Sequence, residues 1–176
     1  MAGQLYVTKP CAELQAEYIS FYEEWKESGE PIVPWVVDRE PYDFAAYLEF
    51  LEGESNEENL PDGYVPHSTY WLVNEHQRIL GVVNIRHRLN ERLHKNSGHI
   101  GYGIRPSERG KGYATEILAQ ALNITSELGI NEVLLICDYD NVGSEKTIRK
   151  NGGVFESECT DDDGLVIRRF WITRSS

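Results

Sequence analysis

The chain has little cysteine, one methionine and no long apolar run, and each shortage closes off a class of explanation. Its three cysteines, Cys11, Cys137 and Cys159, are odd in number and widely spaced. They suggest neither a disulfide framework nor a metal-spaced cluster, so no metal is expected, and a reducing cytoplasmic location is. No stretch approaches the roughly 18 apolar residues of a membrane span, so no membrane partner is expected. Residues Met1 to Leu5 lack a basic segment followed by an apolar core, and no secretion signal is read there. A basic stripe is also missing, which disfavours nucleic acid as a partner. There is no internal repeat, linker or low-complexity tract.

What is present fits one folded domain over residues 1–176, with 40% hydrophobic residues and four tryptophans. The net charge of −12 is unevenly spread. Residues 1–66 hold 15 acidic and 3 basic side chains, whereas residues 67–176 hold 14 of each. Two readings of the acidic part stay open: a solvated face on two helices, or a rim that attracts a cationic substrate such as an amine.

The pattern begins with a short strand at Leu5-Tyr6-Val7. A helix follows Pro10, with Leu14, Tyr18, Phe21, Tyr22 and Trp25 on one side, ended by Gly29 and Pro31. Pro41 suits the first turn of a second helix carrying Phe44, Tyr47, Leu48 and Leu51. Gly53 to Pro66 reads as a long polar loop. From His67 the pattern turns to strands, with a hairpin over Thr69–Val73 and Ile79–Arg88, then a polar loop from Leu89 to Gly98. A strand over Gly98–Arg105 leads to a helix over Thr115–Leu128, stopped by Gly129. Glu132 to Cys137 is a near-continuous apolar run, as in a strand buried on both faces. Asn141 to Lys150 is a short helix. Val154–Cys159 and Leu165–Thr173 form a closing hairpin across Asp161-Asp162-Asp163-Gly164. This order predicts a mixed α/β sheet.

One turn stands out chemically: Arg105-Pro106-Ser107-Glu108-Arg109-Gly110-Lys111-Gly112-Tyr113-Ala114 joins a strand to a helix. Free N–H groups and the helix dipole favour an anion at a helix start. Gly110 and Gly112 allow a sharp turn and a close backbone approach. Arg109 and Lys111 add positive charge where phosphates would sit. The spacing excludes a Walker loop, since Arg105 stands where its first Gly belongs and Gly112 where its Ser or Thr belongs. A dinucleotide fingerprint fails too, because no early strand–helix–strand unit hosts it.

Arg109-Gly110-Lys111-Gly112-Tyr113-Ala114 resembles the first signature of the GNAT acetyltransferase superfamily. Asn141-Val142-Gly143-Ser144 through Lys150-Asn151-Gly152-Gly153-Val154-Phe155 resembles the second. The resemblance covers about Thr69 to Ile172. It implies a mostly antiparallel sheet with a splayed central strand pair, flanked by helices. Residues 67–176 would form the coenzyme A-binding core and 10–66 the acceptor side. It also implies acetyl-CoA as co-substrate and a primary amine as acceptor, on a small molecule or a peptide N-terminus. The pyrophosphate would sit on Gly110 to Ala114, with Arg105, Arg109 and Lys111 nearby. The Ile104 N–H would polarise the thioester carbonyl. Asn141 has two readings, a helix cap bonding the Ser144 N–H or a contact to the pantetheine arm.

Catalytic assignments are less constrained. A neutral amine must attack, so a general base is useful, and His99 titrates in a suitable range. The alternative is a strand histidine satisfied by hydrogen bonds. Asp138 and Asp140 are further candidates for the base, against turn or cap roles. Many family members carry a Tyr seven residues after the motif Asn, where this chain has Ile148. Tyr139 or Tyr102 are substitutes for that acid, or water suffices because a thiol leaves readily. The missing Tyr keeps a second class open, a non-catalytic acyl-CoA sensor of the same fold. Cys137 reads as core. Tyr18, Phe21, Trp25 and Trp35 read as core with some lining the acceptor pocket. A homodimer through the closing hairpin stays open.

Overall fold

A computed structural model describes residues 3–174; the chain start, where no secretion signal was expected, lies partly outside them. Among the described residues no helix is long and apolar enough to cross a membrane.

Two antiparallel sheets make the frame. The first has the order β1 (Leu5–Thr8), β2 (His67–Asn74), β3 (Ile79–Arg86), β4 (Ile100–Ile104). The second has the order β5 (Glu132–Asp138), β7 (Val166–Thr173), β6 (Val154–Thr160). The closing strand β7 therefore lies between β5 and β6. β3 is buried along nearly its whole length because both faces of the first sheet are covered. Alternate residues serve the two faces, as the period of two in a strand requires. Leu72, Val83 and Ile85 pack with α4 (Tyr113–Glu127), whereas Trp71, Val73 and Val82 pack with α1 (Gln15–Ser28) and α2 (Phe44–Gly53).

The helices form for readable local reasons. α1 places Tyr18, Phe21, Tyr22 and Trp25 on one buried face and stops at Gly29, which adopts a left-handed φ of 72°. Tyr18 stacks on Trp71 at a centroid distance of 4.7 Å. Its hydroxyl meets that of Tyr47 at 2.6 Å, and Tyr47 donates to the Val36 carbonyl at 2.8 Å. α4 buries Ile117, Leu118, Ala121 and Leu122. α5 (Val142–Lys150) is capped by Asn141.

Two local expectations need correction. Pro41 lies outside the second helix. Asp43 is the cap, with its carboxylate accepting the Ala46 N–H at 3.2 Å, so the helix starts after it. The polar stretch 89–98 is not all loop, because α3 (Glu91–Asn96) sits inside it. The Asn90 side chain caps it by accepting the Leu93 N–H at 2.9 Å, and Leu93 is its one buried residue.

The two sheets meet at one point. His99 N–H donates to the Leu134 carbonyl at 2.8 Å, and Leu134 N–H donates to His99 Nδ1 at 2.9 Å. A bridge also joins Gly98 to Leu135. Beyond this contact no ladder joins β4 to β5 among the described residues, so the strands splay toward Ile104.

Candidate active site

The splay leaves a cleft of about 900 Å³ on the free edge of β4. Tyr102, Gly103 and Ile104 line it from the strand, and Gly110 and Gly112 to Thr115 from the turn and helix start. Asn141, Gly143, Ser144, Lys146, Thr147 and Lys150 line it from α5, and Trp25, Pro31 and Val33 from the N-terminal side.

The edge of β4 is open for a geometric reason. Arg105 N–H donates to Leu80 and Arg86 N–H donates to His99, so odd-numbered β4 residues occupy the hydrogen-bonded pairs with β3. The N–H groups of Tyr102 and Ile104 consequently face the other way, toward the splay. Gly103 is needed where it stands. A Cβ there would lie 2.0 Å from the Val33 carbonyl oxygen and 2.4 Å from the Trp25 ring. The 31–35 segment thus lies directly on β4.

The turn before α4 is a set of unclaimed donors. Among the described residues, no protein acceptor meets the N–H groups of Gly110 through Thr115; the first bond of the helix runs from Glu116 N–H to the Gly112 carbonyl. Gly110 and Gly112 hold φ values of 78° and 86°, in the left-handed region that disfavours side chains. A Cβ on either would meet nothing within 4 Å, so the space over both is open. Free amides, open space and the start of a 15-residue helix suit a diphosphate.

Arg109 lines the cleft with its guanidinium 5.3 Å from the Trp25 ring centroid, pairs with Glu30, and donates to the Ile104 carbonyl at 3.3 Å. Lys111 turns away to Glu108 at 2.8 Å and does not line the cleft. The Asn141 side chain accepts the Ser144 N–H at 3.0 Å while lining the cleft. Tyr102 and Ser144 hydroxyls meet at 2.9 Å. Burial pushes the Tyr102 phenol above its ordinary value, so it stays protonated.

Arg105, His99, Asp138, Tyr139 and Asp140 are not brought to the cleft either. Arg105 is 3% exposed and faces α1. It donates to Glu24 at 3.0 Å, to Glu17 at 2.8 Å and to Ser20 at 2.8 Å, so no guanidinium arm is left for a cofactor. His99 is buried at the contact between the sheets, outside the cleft lining. Burial, with repulsion from Arg86 and His94, pushes its imidazole down to about 4, and its Nδ1 lone pair is already taken by Leu134. Neither property suits a base for an ammonium near neutral pH. Asp138 and Tyr139 lie at the exposed end of β5, Tyr139 at 58% exposure, and neither lines the cleft.

Several cleft residues were not foreseen. Lys146 and Lys150 both line it, and neither forms an ion pair among the described residues. Their spacing of four on the helix after Asn141 puts them on one face, a signal the sequence held. Trp25 is one of the aromatics read as core or acceptor-pocket wall, and it lines the cleft; Val33 had no signal, since only the fold brings it to Gly103.

A family model described as an acetyltransferase (GNAT) domain matches residues 7–154. The chain belongs to the GNAT acetyltransferase family. No curated protein sequence matches it. Solved GNAT acetyltransferases share its fold at low identity. A ribosomal L7/L12 alpha-N-protein acetyltransferase in complex with coenzyme A is 14% identical, with 97% of this chain and 94% of that one covered at a TM-score of 0.68. The Microcin C7 self-immunity acetyltransferase in complex with acetyl-CoA and AMP is 16% identical, with 97% and 92% covered at 0.67. A dodecameric spermidine N-acetyltransferase from Vibrio cholerae is 16% identical, with 98% and 95% covered at 0.67. Within the GNAT frame Ile148 is a real departure: it is 1% exposed and packs in the core, so no hydroxyl enters the cleft from that position.

Proposed function

We propose that this protein transfers an acetyl group from acetyl-CoA to a primary amine by direct attack, with both substrates bound together. The observation that carries this reading is the run of unpartnered N–H groups from Gly110 to Thr115, at the mouth of a cleft along an open strand edge. Acetyl-CoA supplies the activated acetyl group. The chain's amides seat its diphosphate, and Arg109, Lys146 and Lys150 balance its charge. The pantetheine arm lies along β4 as an added strand, with the Ile104 N–H directed at the thioester oxygen. Trp25 and Val33 wall the side from which the amine enters. The residues of 10–66 then form the acceptor side and those of 67–176 the coenzyme A side, in a cytoplasmic protein.

The carboxylates lining the cleft, Glu30 and Glu108, are held by Arg109 and by Arg78 and Lys111, so the ammonium gives one proton to water before it attacks and the nitrogen gives a second to water as the thioester bond breaks. Tyr102 replaces the tyrosine absent at position 148 as proton donor to the thiolate. It is a protonated phenol in the cleft, held by Ser144.

The direct test is Gly112→Glu, which puts a strained side chain and a negative charge into the diphosphate seat. Calorimetry is expected to show at least a ~100-fold loss of acetyl-CoA affinity, equivalent to two or more lost charge-assisted contacts. Unchanged affinity in a folded variant removes this reading. The buried Ile148 favours one second reading, an acyl-CoA sensor without turnover. Free-thiol release with a panel of amines separates the two.

A further inference from the structure

The helix α5 changes character along its length. Its cleft face is Gly143, Lys146, Thr147 and Lys150, which lie on one side of the helix at alternating spacings of three and one. The first end of this face is small and uncharged, with Ser144 beside Gly143. A Cβ on Gly143 would make only ordinary van der Waals contact with Asn141 Oδ1, at 3.8 Å. The second end carries two exposed lysines, and neither has a carboxylate partner among the described residues. Glu145, next to Lys146 in the chain, is taken by Arg149 at 3.3 Å and by Arg168.

Hydrogen bonds at its two ends fix how this face lies in the cleft. At the first turn the Ser144 hydroxyl meets the Tyr102 hydroxyl at 2.9 Å, so that end stands at the free edge of β4. At the last turn the Asn151 amide donates to the Thr115 carbonyl at 3.2 Å and to the Thr147 carbonyl at 3.0 Å, so that end is tied to the head of α4. Ser144 and Lys150 are about 9 Å apart along the axis at ~1.5 Å per residue. α5 therefore runs from the thioester end of the cleft to the diphosphate seat, and Lys150 stands at the end remote from Tyr102.

The positive charge at that end exceeds what a diphosphate needs. The amides from Gly110 to Thr115, the start of α4 and Arg109 already face one. Coenzyme A carries one further anion, the phosphomonoester on the 3′-oxygen of its ribose, with a charge of about −1.5 to −2 near pH 7. Along the coenzyme the order is thiol, uncharged pantetheine, diphosphate, ribose phosphate. Along α5 the order is Ser144 and Gly143, then Lys146, then Lys150, which is the same change from neutral to anion-binding.

We propose that Lys146 and Lys150 bind the 3′-phosphate of coenzyme A, so that the protein selects acetyl-CoA over its 3′-dephospho form. The proposal rests on the acetyl-transfer reading above and deepens it, since the amides that seat the diphosphate do not tell the two coenzymes apart. Lysine suits this place: a point charge on a flexible stem reaches a phosphate from an exposed helix face without needing a fixed geometry. Four residues apart, the two stems leave the same face and can converge on one tetrahedral group.

The test uses coenzyme A and 3′-dephospho-coenzyme A, which differ only in that phosphate. Calorimetry measures both against the wild type, Lys146→Met, Lys150→Met and the double variant, with Gly112→Glu for contrast. Both lysines are exposed, so their variants keep the fold. The wild type is expected to favour coenzyme A by about tenfold or more, the worth of one good charge-assisted contact. Each single substitution is expected to weaken coenzyme A by about three- to tenfold and the dephospho form by less than about twofold, and the double variant to bring the ratio near one. The wild-type preference should shrink as salt rises to about 0.5 M, because the contact is exposed. Gly112→Glu should weaken both ligands alike. Equal wild-type affinities overturn the proposal and leave the acetyl-transfer reading standing. Lysine variants that weaken both ligands equally also overturn it, by assigning the lysines to the diphosphate, as does a double variant that keeps the preference. If neither ligand binds the wild type, the parent reading falls and this one with it.

Discussion

The two faces of the β1–β4 sheet are held by different physics. On the α4 face the contacts are aliphatic, with Leu72, Leu80, Val83 and Ile85 against Ile117, Leu118 and Ala121. On the α1/α2 face an aromatic cluster around Tyr18, Phe44 and Trp71 is joined by a buried ionic clamp, Arg105 with Glu17 and Glu24. The first face carries the diphosphate seat at the head of α4. In the proposed reading the second carries the wall beside which an acceptor enters. An apolar contact tolerates small shifts of position, while a clamp fixes one docking geometry for α1. Substrate-facing precision on the second face therefore depends on a few charged groups.

Arg105→Met separates the two faces most sharply. It leaves two carboxylates facing each other in a partly buried site, and losing one partner of such a network costs about 3–5 kcal/mol. For a chain of this size that is a fall of roughly 10 °C in Tm. Acetyl-CoA affinity is expected to change less than about tenfold, since the guanidinium faces α1 and not the cleft. An unchanged Tm with lost coenzyme binding would put Arg105 back in the site. The clamp also has a pH signature. Burial raises the Glu24 carboxyl, but hydrogen bonds from the Ser107 N–H, from Arg105 and from the Ser107 hydroxyl outweigh it, so it titrates below 4.5. Its stabilisation is complete above pH 4.5 and is lost as pH falls through the lowered value.

Gly103→Ala tests the contact between the acceptor wall and β4. The added methyl meets the Val33 carbonyl and the Trp25 ring, and overpacking of this kind costs about 1–3 kcal/mol. The 31–35 segment has to lift, so KM for the amine is expected to rise more than that for acetyl-CoA. Equal effects on both would show that the segment does not belong to the acceptor side.

His99→Leu probes the joint between the sheets. It removes the acceptor of the buried Leu134 N–H, an expected loss of about 1–3 kcal/mol. The wild-type histidine has its own signature, since its imidazole falls from 6.5 to about 4 on folding. The unfolded chain binds that proton first, so stability is full above 6.5, declines as pH falls, and levels off near 4. The variant should lose this slope in a plot of Tm against pH. Its kcat against pH near neutrality should keep the wild-type shape. A limb on the acidic side of that profile that vanishes in the variant would restore His99 as the base.

How far the sequence could be read follows from how local each feature is. The strand–turn–helix from Ile100 to Glu127 and the Asn141 cap depend on neighbours in the chain, and glycine and cap chemistry reveal them directly. Arg105 was assigned to the cofactor by nearness in sequence. Strand alternation argues otherwise: Ile104 faces the α4 core, so the next side chain faces α1. Gly103 and Trp25 meet only through the 31–35 segment, which no local pattern connects to β4. α3 stayed hidden because a six-residue helix with one buried residue, Leu93, has no periodicity to detect.

The smallest expected effect is that of Tyr102→Phe, and it bears on where the comparison of faces ends. Tyr102 stands on β4 with its hydroxyl 2.9 Å from Ser144 of α5, so it belongs to the coenzyme side. As proton donor to a thiolate it supplies little, because a thiol of pKa near ~8.5 is already a good leaving group. A kcat fall of about tenfold, or ~1.4 kcal/mol, is the expected size, with KM for either substrate nearly unchanged. The loss should shrink as pH rises and the thiolate no longer needs the proton. Ser144→Ala should reproduce part of the fall by freeing the phenol from its partner. A Tyr102→Phe variant whose main change is a raised amine KM would move Tyr102 to the acceptor side, and the proton would then have to come from solvent.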